Sequence, residues 1–389
     1  MTSYTRAIDH CAPLPLSMID RSLLASKAIY FFFFGAMAVL TPFLALYYEH
    51  IGFSGTQIGF LVGLTPFITL FSASLMGVVA DVTQQYRRLL MILVAGLALM
   101  VLTISQVTSF FWLIPVVVLY ALFFAPILPL VDKTVLDSLG HNKNRYGRQR
   151  LWGTVGWGLA APAAGLMVER TSLTWIFYIC FVLLVAAFLV STWLPVRQVN
   201  LAGHFWDGTR LLLRNWRWAT FLTVTFVAGA GLAVINTYLF LLMDQLGATK
   251  TMMGLAMTVA TLSEMGVMFF ADRFLVRWGT RGLMAISLGC LALRLTSYGL
   301  VQSPQWILII QLLHAPTFGL LWIAGVAHAD KLAPAGMGAT AQGLFSGVTM
   351  GFGAAFGAIA GGLLYQNLGA ASMFLWFGAG VFVALVIFL

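Results

Sequence analysis

Uncharged, mostly apolar stretches recur along the whole chain, and short polar segments separate them. A helix that crosses the hydrocarbon core of a bilayer needs about 20 such residues. The pattern therefore predicts an all-α membrane protein with twelve transmembrane helices. The predicted spans are 24–48, 56–80, 89–106, 110–131, 151–168, 172–195, 218–243, 251–271, 282–300, 305–329, 338–364 and 370–388.

The longest polar connection follows the sixth span and divides the twelve spans into two sets of six. It mixes arginines with tryptophans and leucines, a composition typical of an amphipathic helix on a membrane surface. The segment before the first span lacks the basic start and the cleavage site of a signal peptide. The predicted domains are a cytoplasmic tail at 1–20, a six-helix bundle at 21–195, a cytoplasmic linker with an amphipathic helix at 196–217, and a second six-helix bundle at 218–389.

Composition and charge support the same interpretation. Hydrophobic residues make up 61% of the chain and charged residues 8%, which leaves too little polar surface to face water on all sides. The net charge of +9 would suit nucleic acid, but the positions of the cations favour a membrane. With a cytoplasmic amino terminus, every lysine and arginine except Arg170, Lys250 and Arg294 falls in a segment on the cytoplasmic side. The positive-inside rule then predicts an integral protein of the plasma or bacterial inner membrane, with both termini cytoplasmic and no nucleic-acid partner.

The two sets of six spans share short sequences at a nearly constant offset, as expected for a duplicated bundle. Asp132-Lys133 in the first set matches Asp330-Lys331 in the second. Each set has the same number of spans and the same orientation in the membrane. The sequence therefore predicts two parallel-repeat six-helix bundles.

Three ionisable residues lie deep within spans of the second half: Glu264, Arg294 and His314. Each is unfavourable in hydrocarbon unless it has a partner. Their similar depth predicts a polar cluster that faces a central cavity, where Glu264 takes up and releases a proton with Arg294 as its charge partner, and His314 binds a solute hydroxyl. The alternative is a buried salt bridge that only stabilises the bundle.

In the first half, Asp132 and Arg150 flank a cytoplasmic loop, and an antiparallel hairpin would bring them together. Trp157 follows Arg150 by seven residues, or two helical turns, so both side chains lie on one side of their helix. We predict that these residues bind solute; the alternative is that the charges reach to water at the membrane surface. Asn236 and Gln311 are further candidates that either line the cavity or pack in the bundle.

Two loops resemble the signature loop of the major facilitator superfamily, a glycine and an aspartate followed by arginines. Gly77, Asp81 and Arg88 form the first copy, and Asp272 with Arg281 forms a looser second copy. The resemblance implies that these residues latch neighbouring helices in one state of a moving protein. The alternative is a solvated charged turn.

The segment Tyr146–Trp157 resembles the fifth-span motif of the lactose permease type of sugar–proton symporters, and Pro129–Asp132 resembles their fourth-span segment. The resemblance implies that Asp132 and Arg150 bind sugar hydroxyls and that Trp157 stacks on the sugar ring.

A closer likeness is to the phenylpropionate permease branch of the superfamily and to its eukaryotic relatives, the domain-containing-protein-6 group. Phe123–Asp132, Arg150–Gly153 and Gln311–Phe318 carry this likeness, which covers nearly the whole chain. It implies the fold of the major facilitator superfamily.

Glu264, Arg294 and His314 match the embedded glutamate, arginine and histidine of lactose permease. That family also has a proton-carrying glutamate one turn after the histidine and a lysine one turn before it, where this chain has Thr317 and Gln311. If this protein is a symporter, Glu264 or Asp132 must carry the proton.

The function predicted is a secondary active transporter that moves a small polar or aromatic solute by alternating access and proton symport. A proton-independent uniporter and a receptor or scaffold without transport stay as alternatives. Arg150 with Trp157 would suit an aromatic carboxylate, whereas Asp132 and His314 beside them would suit a sugar. An enzyme is not expected because no HExxH, GxSxG or GxGxxG motif occurs in a suitable context. The expected partners are the solute, protons and the lipid bilayer; we expect a monomer without metal or cofactor.

Overall fold

The computed structural model describes residues 16–83, 85–139, 145–194, 216–333 and 337–389. Nearly all of this described part is helical, and it contains no strand. Most of the predicted tail and linker lies outside the described residues, and with them the amphipathic helix. The domain boundaries at 20, 195 and 217 therefore stay predictions.

Fourteen α-helices follow one another along the described ranges. Those of the first half are α1 (Leu16–His50), α2 (Gly55–Thr83), α3 (Tyr86–Gln106), α4 (Phe110–Phe124), α5 (Ile127–Leu139), α6 (Tyr146–Arg170) and α7 (Trp175–Ser191). Those of the second half are α8 (Trp216–Gln245), α9 (Lys250–Phe269), α10 (Ala271–Leu300), α11 (Pro304–Ile310), α12 (Leu320–Leu332), α13 (Gly338–Ser346) and α14 (Ala354–Phe388).

Some helices join into longer membrane segments. Ten helical segments of the described chain are long and apolar enough to cross a bilayer, and α7 is a shorter apolar helix of 17 residues. The last segment, Thr340–Phe388, has 49 residues and leaves helical geometry at Gly369, where φ is 79°. Since a bilayer needs about 20 residues, this segment is long enough for two crossings. Ten segments and α7 agree with the all-α prediction, and the count of twelve is reached only if the last segment crosses twice, so that count stays a prediction.

The segment that follows α11 departs from regular α-helix near the middle of the apolar segment Pro304–Leu332. Gln311–Leu313 forms a 3₁₀ turn, and Ala315–Gly319 forms a π-helical turn that includes Pro316. Proline lacks the amide hydrogen that a regular helix needs at this point. π-helical turns inside α-helices occur frequently at functional sites, and His314 lies between these two turns.

At one end of the molecule the two halves pack backbone against backbone. A Cβ atom on Gly254 of α9 would lie 2.5 Å from the carbonyl oxygen of Ala161 on α6, and one on Gly165 would lie 2.3 Å from that of Lys250. On the other side of the bundle, a Cβ on Gly362 of α14 would lie 2.3 Å from the Gly55 oxygen. Only glycine allows helices to approach so closely. We call this the sealed end.

Contact between α6 and α9 weakens toward the opposite end. A Cβ on Gly158, two turns from Gly165, would meet only Thr261, at 3.8 Å. Gly147 and Gly266, further from the sealed end, have nothing within 4 Å of such an atom. The two helices therefore diverge, and we call this opposite end the open end.

This geometry predicts opposite effects for two glycines of α9. Gly254→Ala forces α6 and α9 apart, and overpacking of this kind reduces stability by about 1–3 kcal/mol. Gly266→Ala meets no neighbour and gains helix propensity of up to about 1 kcal/mol. Thermal unfolding in detergent should show a lower melting temperature for Gly254→Ala, and an unchanged or higher one for Gly266→Ala. Equal effects would show that the sealed end is not tightly packed.

Candidate functional site

The first polar cluster lies where α1, α5 and α6 meet, and it consists of Tyr30, Asp132, Tyr146 and Arg150. Arg150 Nη1 donates to Asp132 Oδ2 at 2.8 Å and to the Tyr146 hydroxyl at 3.0 Å. The Tyr30 hydroxyl donates to the other carboxylate oxygen, Oδ1, at 2.5 Å. The structure thus brings together Asp132 and Arg150, as the hairpin predicted. We call this group the Asp132 cluster.

The Asp132 cluster is firmly held on one side and accessible on the other. Tyr30 is fully buried, whereas the side chains of Arg150 and Asp132 are 40% and 25% exposed. The Arg150 guanidinium also lies 5.8 Å from the centre of the Phe34 ring. One carboxylate balances one guanidinium, so the cluster carries no net charge.

The second cluster lies in the second half and surrounds Arg294 of α10. Arg294 is 1% exposed. It donates to the hydroxyls of Tyr298 and Thr317, each at 3.0 Å, to Gln311 Oε1 at 2.5 Å, and to His314 Nδ1 at 3.2 Å. Glu264 of α9 completes the group, with Oε2 3.5 Å from His314 Nε2. We call these six residues the Arg294 cluster.

The contacts of His314 determine which ring nitrogen carries the proton. A guanidinium can only donate hydrogen bonds, so His314 Nδ1 accepts from Arg294 and is unprotonated. A neutral imidazole then carries its hydrogen on Nε2, the nitrogen that faces Glu264. Arg294 therefore donates to His314, and the Nε2–H of His314 faces the Glu264 carboxylate, whose oxygen lies 3.5 Å away.

Local backbone geometry positions these three side chains. Thr317, in the π-helical turn, bonds through its hydroxyl to the backbone oxygens of Leu313 and His314, at 2.8 and 2.9 Å. Its own carbonyl oxygen accepts from the Ser287 hydroxyl of α10 at 2.7 Å. Gly319 ends the turn, and a Cβ there would lie 3.8 Å from Glu264 Cγ. The irregular turn thus fixes both the Arg294 and the Glu264 sides of the cluster.

The structure corrects our expectation that Arg294 is the direct charge partner of Glu264. Its observed contacts are all to uncharged groups, and His314 lies between the two charged residues. Because a buried charge needs compensation, Glu264 balances Arg294 through the imidazole. Of the two alternatives left for Gln311, lining the cavity or packing in the bundle, the structure shows the second. Gln311 is fully buried behind Arg294, and its Oε1 also accepts from Tyr298 at 3.0 Å.

Two other polar side chains are exposed in the middle of buried helices. Asn236 of α8 is exposed while its neighbours 224–225, 228–235 and 237–243 are buried. Thr41 of α1 is exposed between buried residues in the same way. The rings of Phe43 and Phe240 connect these two helices at 4.7 Å. Asn236 and Thr41 are thus exposed polar side chains on two helices that contact each other across the halves.

Trp157 is half-buried on α6, at the level where α6 and α9 begin to diverge. The neighbouring carbonyl oxygen of Gly158 accepts from the Thr258 hydroxyl of α9 at 3.0 Å. Glu264 lies six residues beyond Thr258 toward the open end, about 9 Å along the helix. Trp157 thus lies between the two clusters and the sealed end.

The predicted gating loops are described only in part. The side chains of Asp81 and Asp272, and the surroundings of Gly77, lie outside what the structure describes. Arg88 is exposed and donates to Gln85 Oε1 at 3.1 Å. Arg281 donates to the carbonyl oxygens at the end of α14, at 3.2 and 2.9 Å. The latching role of these loops stays a prediction.

Sequence reasoning missed several polar contributors to the site. Tyr146 and Tyr298 each lie four residues from the arginine they contact, a spacing that places side chains on one helix face. That spacing would have identified both as partners. Thr41 gave no such signal, because hydroxyl residues are common in membrane helices and usually bond their own backbone. Position 317 was marked only by the resemblance, which did not indicate that its hydroxyl accepts from Arg294. Among the described residues, no group of three or more His, Cys, Asp or Glu side chains suits a metal ion.

The apolar helices and the polar clusters between them define an integral membrane protein. The chain belongs to the MFS_1 like family, whose sequence model matches residues 23–376. The resemblance to the major facilitator superfamily is thereby confirmed. The protein is a membrane transporter and not an enzyme.

Known proteins similar to this chain include two bacterial relatives. The maltose permease of Geobacillus stearothermophilus is 29% identical over 92% of this chain and 92% of its own length. The probable 3-phenylpropionic acid transporter of Escherichia coli is 25% identical over 87% of this chain and 90% of its own length. Crystal structures of the nucleoside transporter NupG match with TM-scores of 0.87 and 0.85 at 22% identity, covering 94% of this chain and 98% of that chain. The structural likeness shows the shared fold.

The buried network predicts that lysine cannot replace Arg294. Arg294→Lys keeps the charge but loses the planar set of donors, and one lost hydrogen bond to a charged group reduces stability by about 1.5–3 kcal/mol. Arg277→Lys, on the same helix but exposed, should change stability by less than about 0.5 kcal/mol. Thermal unfolding in detergent measures both. A melting temperature of Arg294→Lys equal to that of Arg277→Lys would contradict the network.

Proposed function

We propose that this protein is a secondary transporter that carries a neutral, hydroxyl-rich solute of the sugar class together with a proton. The observation that carries the proposal is the charge balance of the two clusters. Asp132 is paired with Arg150, and Glu264 balances Arg294. Neither cluster leaves a net charge for a solute to neutralise.

The Asp132 cluster favours a neutral solute over an aromatic carboxylate. A carboxylate that bound Arg150 would compete with Asp132, which already accepts from both Arg150 and Tyr30. Displaced from the guanidinium, Asp132 would be a partly buried and uncompensated charge. A sugar hydroxyl, in contrast, both donates and accepts hydrogen bonds, so it can join the cluster without breaking the ion pair.

The solute site on this proposal lies between the halves. The accessible faces of Asp132 and Arg150 bind hydroxyl groups from one side, and Glu264, His314 and Asn236 bind them from the other. Trp157 packs against the apolar face of the sugar ring, and Thr41 adds a hydroxyl on the path. The relationship to the maltose permease supports the sugar class.

Proton coupling follows from the position of Glu264. A proton on Glu264 removes the charge that balances Arg294, and a guanidinium stays ionised in proteins. The buried cation is then uncompensated, which disfavours this packing of the cluster and favours another conformation. Because Thr317 and Gln311 are uncharged, Glu264 is the carboxylate of the cluster that responds to protons.

The orientation in the membrane follows from the distribution of cations. On this proposal the protein lies in the plasma membrane or the bacterial inner membrane. By the positive-inside rule, the sealed end then faces the outer surface and both termini face the cytoplasm. The conformation described is then open to the cytoplasm. Alternating access requires the sealed end to separate while the open end closes. A monomer contains both halves of this mechanism.

Proton coupling predicts that Glu264→Gln loses sugar accumulation driven by a pH gradient but keeps sugar exchange. In proteoliposomes with an imposed pH gradient, the unmodified protein should accumulate labelled maltose or a related sugar, whereas Glu264→Gln should not. Exchange of labelled for unlabelled sugar, which needs no net proton movement, should continue in the variant. Gradient-driven accumulation by Glu264→Gln would contradict the assignment, and an unmodified protein indifferent to the gradient would be a uniporter.

The proposed sugar class predicts that replacing Arg150 weakens sugar binding, whereas replacing the nearby Arg148 does not. Arg150→Lys loses simultaneous contact with Asp132 and Tyr146, so sugar binding should weaken at least tenfold, or about 1.4 kcal/mol. Arg148→Lys, exposed on the same helix, should bind as the unmodified protein does. Tryptophan fluorescence titrations with maltose, a nucleoside and 3-phenylpropionate provide the measurement. Binding of 3-phenylpropionate alone would overturn the sugar class, and no binding or transport of any solute would favour a receptor or scaffold.

A further inference from the structure

Hydrogen bonds between the halves reinforce the glycine contacts of the sealed end. The Tyr365 hydroxyl donates to Glu49 Oε1 at 2.5 Å. The backbone N–H of Thr251 donates to Glu169 Oε2 at 2.9 Å. In both bonds the acceptor is a carboxylate of the first half and the donor belongs to the second half. Both bonds must break if the two halves separate at this end.

The Tyr365 hydroxyl is oriented by its surroundings. Gln245 Nε2 donates to its oxygen at 2.9 Å, which leaves the hydroxyl hydrogen to point at Glu49. The Tyr365 ring stacks on that of Tyr238 at 5.5 Å. The second half therefore presents a fixed donor to the Glu49 carboxylate.

Glu169 binds the first turn of α9, where backbone N–H groups lack partners within the helix. Thr249 satisfies one of them, since its hydroxyl accepts from the N–H of Met252 at 3.1 Å. Glu169 satisfies another from the opposite half. A negative charge is favourable at a helix amino terminus, so this bond depends on the ionised form of the carboxylate.

We propose that Glu49 and Glu169 form an acid-weakened latch that holds the sealed end closed. Hydrogen bonds to an ionised carboxylate are roughly twice as strong as those between neutral groups. Protonation of the two carboxylates from the sealed side weakens both bonds and favours separation of the halves there. The inference rests on the proposed alternating access, and it adds a second point at which protons act.

Other ionisable groups around the latch must be separated from it. Glu49 shares a cavity of about 280 Å³ with His50, Asp244 and Lys250. Lys250 pairs with Asp244 and also lies near Glu169, which is followed by Arg170. His50 gains a positive charge in acid, so its contribution to pH dependence needs its own variant.

Distances between spin labels at the sealed end test the latch. Thr108 and Gln302 are exposed in loops of opposite halves. Thr108→Cys and Gln302→Cys, in a chain without its three native cysteines, carry nitroxides for double electron–electron resonance in nanodiscs. Hydrogen bonds from Thr251 hold the pKa of Glu169 below its usual value, so its protonation needs a pH below about 4. Between about pH 8 and about pH 3, the longer-distance population should rise at least threefold. Glu49→Gln with Glu169→Gln should show this population already at pH 8, and with little further change in acid.

Two controls make the outcomes separable. His50→Gln should keep the pH response; if it abolishes the response, the histidine and not the latch is responsible. Gly254→Leu wedges α6 and α9 apart whatever the protonation state, so it should lengthen the distance at every pH. If Gly254→Leu lengthens it but neither acid nor the double glutamine variant does, the latch is refuted and alternating access stands. If none of these changes moves the distance, alternating access itself fails.

Discussion

A guanidinium that stays charged and is buried within the membrane is the constraint on which this structure depends. Arg294 is 1% exposed, and the groups that contact it are uncharged. Hydrocarbon strongly disfavours such a charge unless a counter-charge compensates it. Glu264 supplies the counter-charge, and His314 transmits the interaction. The proposed solute site and the proposed proton coupling both depend on keeping this balance.

The packing of α6 and α9 connects the charge balance of Arg294 and Glu264 to the arrangement of the two halves. Around the clusters, α6 and α9 diverge, and one turn of π-helix replaces regular backbone beside Glu264. At the sealed end the same helices touch backbone to backbone through glycines. The same pair of helices thus has a closely packed end and a polar, accessible centre. Because packed interfaces have discrete arrangements, a change of charge at the centre can favour one arrangement of the two halves over another.

Much of the fold could be predicted from sequence because hydrocarbon imposes a simple rule on length and polarity. The spans and the pairing of Asp132 with Arg150 follow from apolar length and hairpin geometry. The connection between the last two spans could also be predicted, and the break at Gly369 falls within it. The π-helical turn after His314 could not be predicted, since backbone irregularity leaves no periodic signal. Nor could the insertion of His314 between Arg294 and Glu264, because helix spacing indicates depth but not which way three side chains turn.

The most direct test of the account is whether sugar entry carries a proton. Adding maltose or a related sugar to weakly buffered proteoliposomes, with the sealed end outward and no pH gradient, should raise the external pH transiently as protons enter with the sugar. Glu264→Gln should abolish this alkalinisation. Sugar uptake by the unmodified protein without any pH change, or an unchanged pH response in Glu264→Gln, would contradict the central role of the Arg294 and Glu264 charge balance.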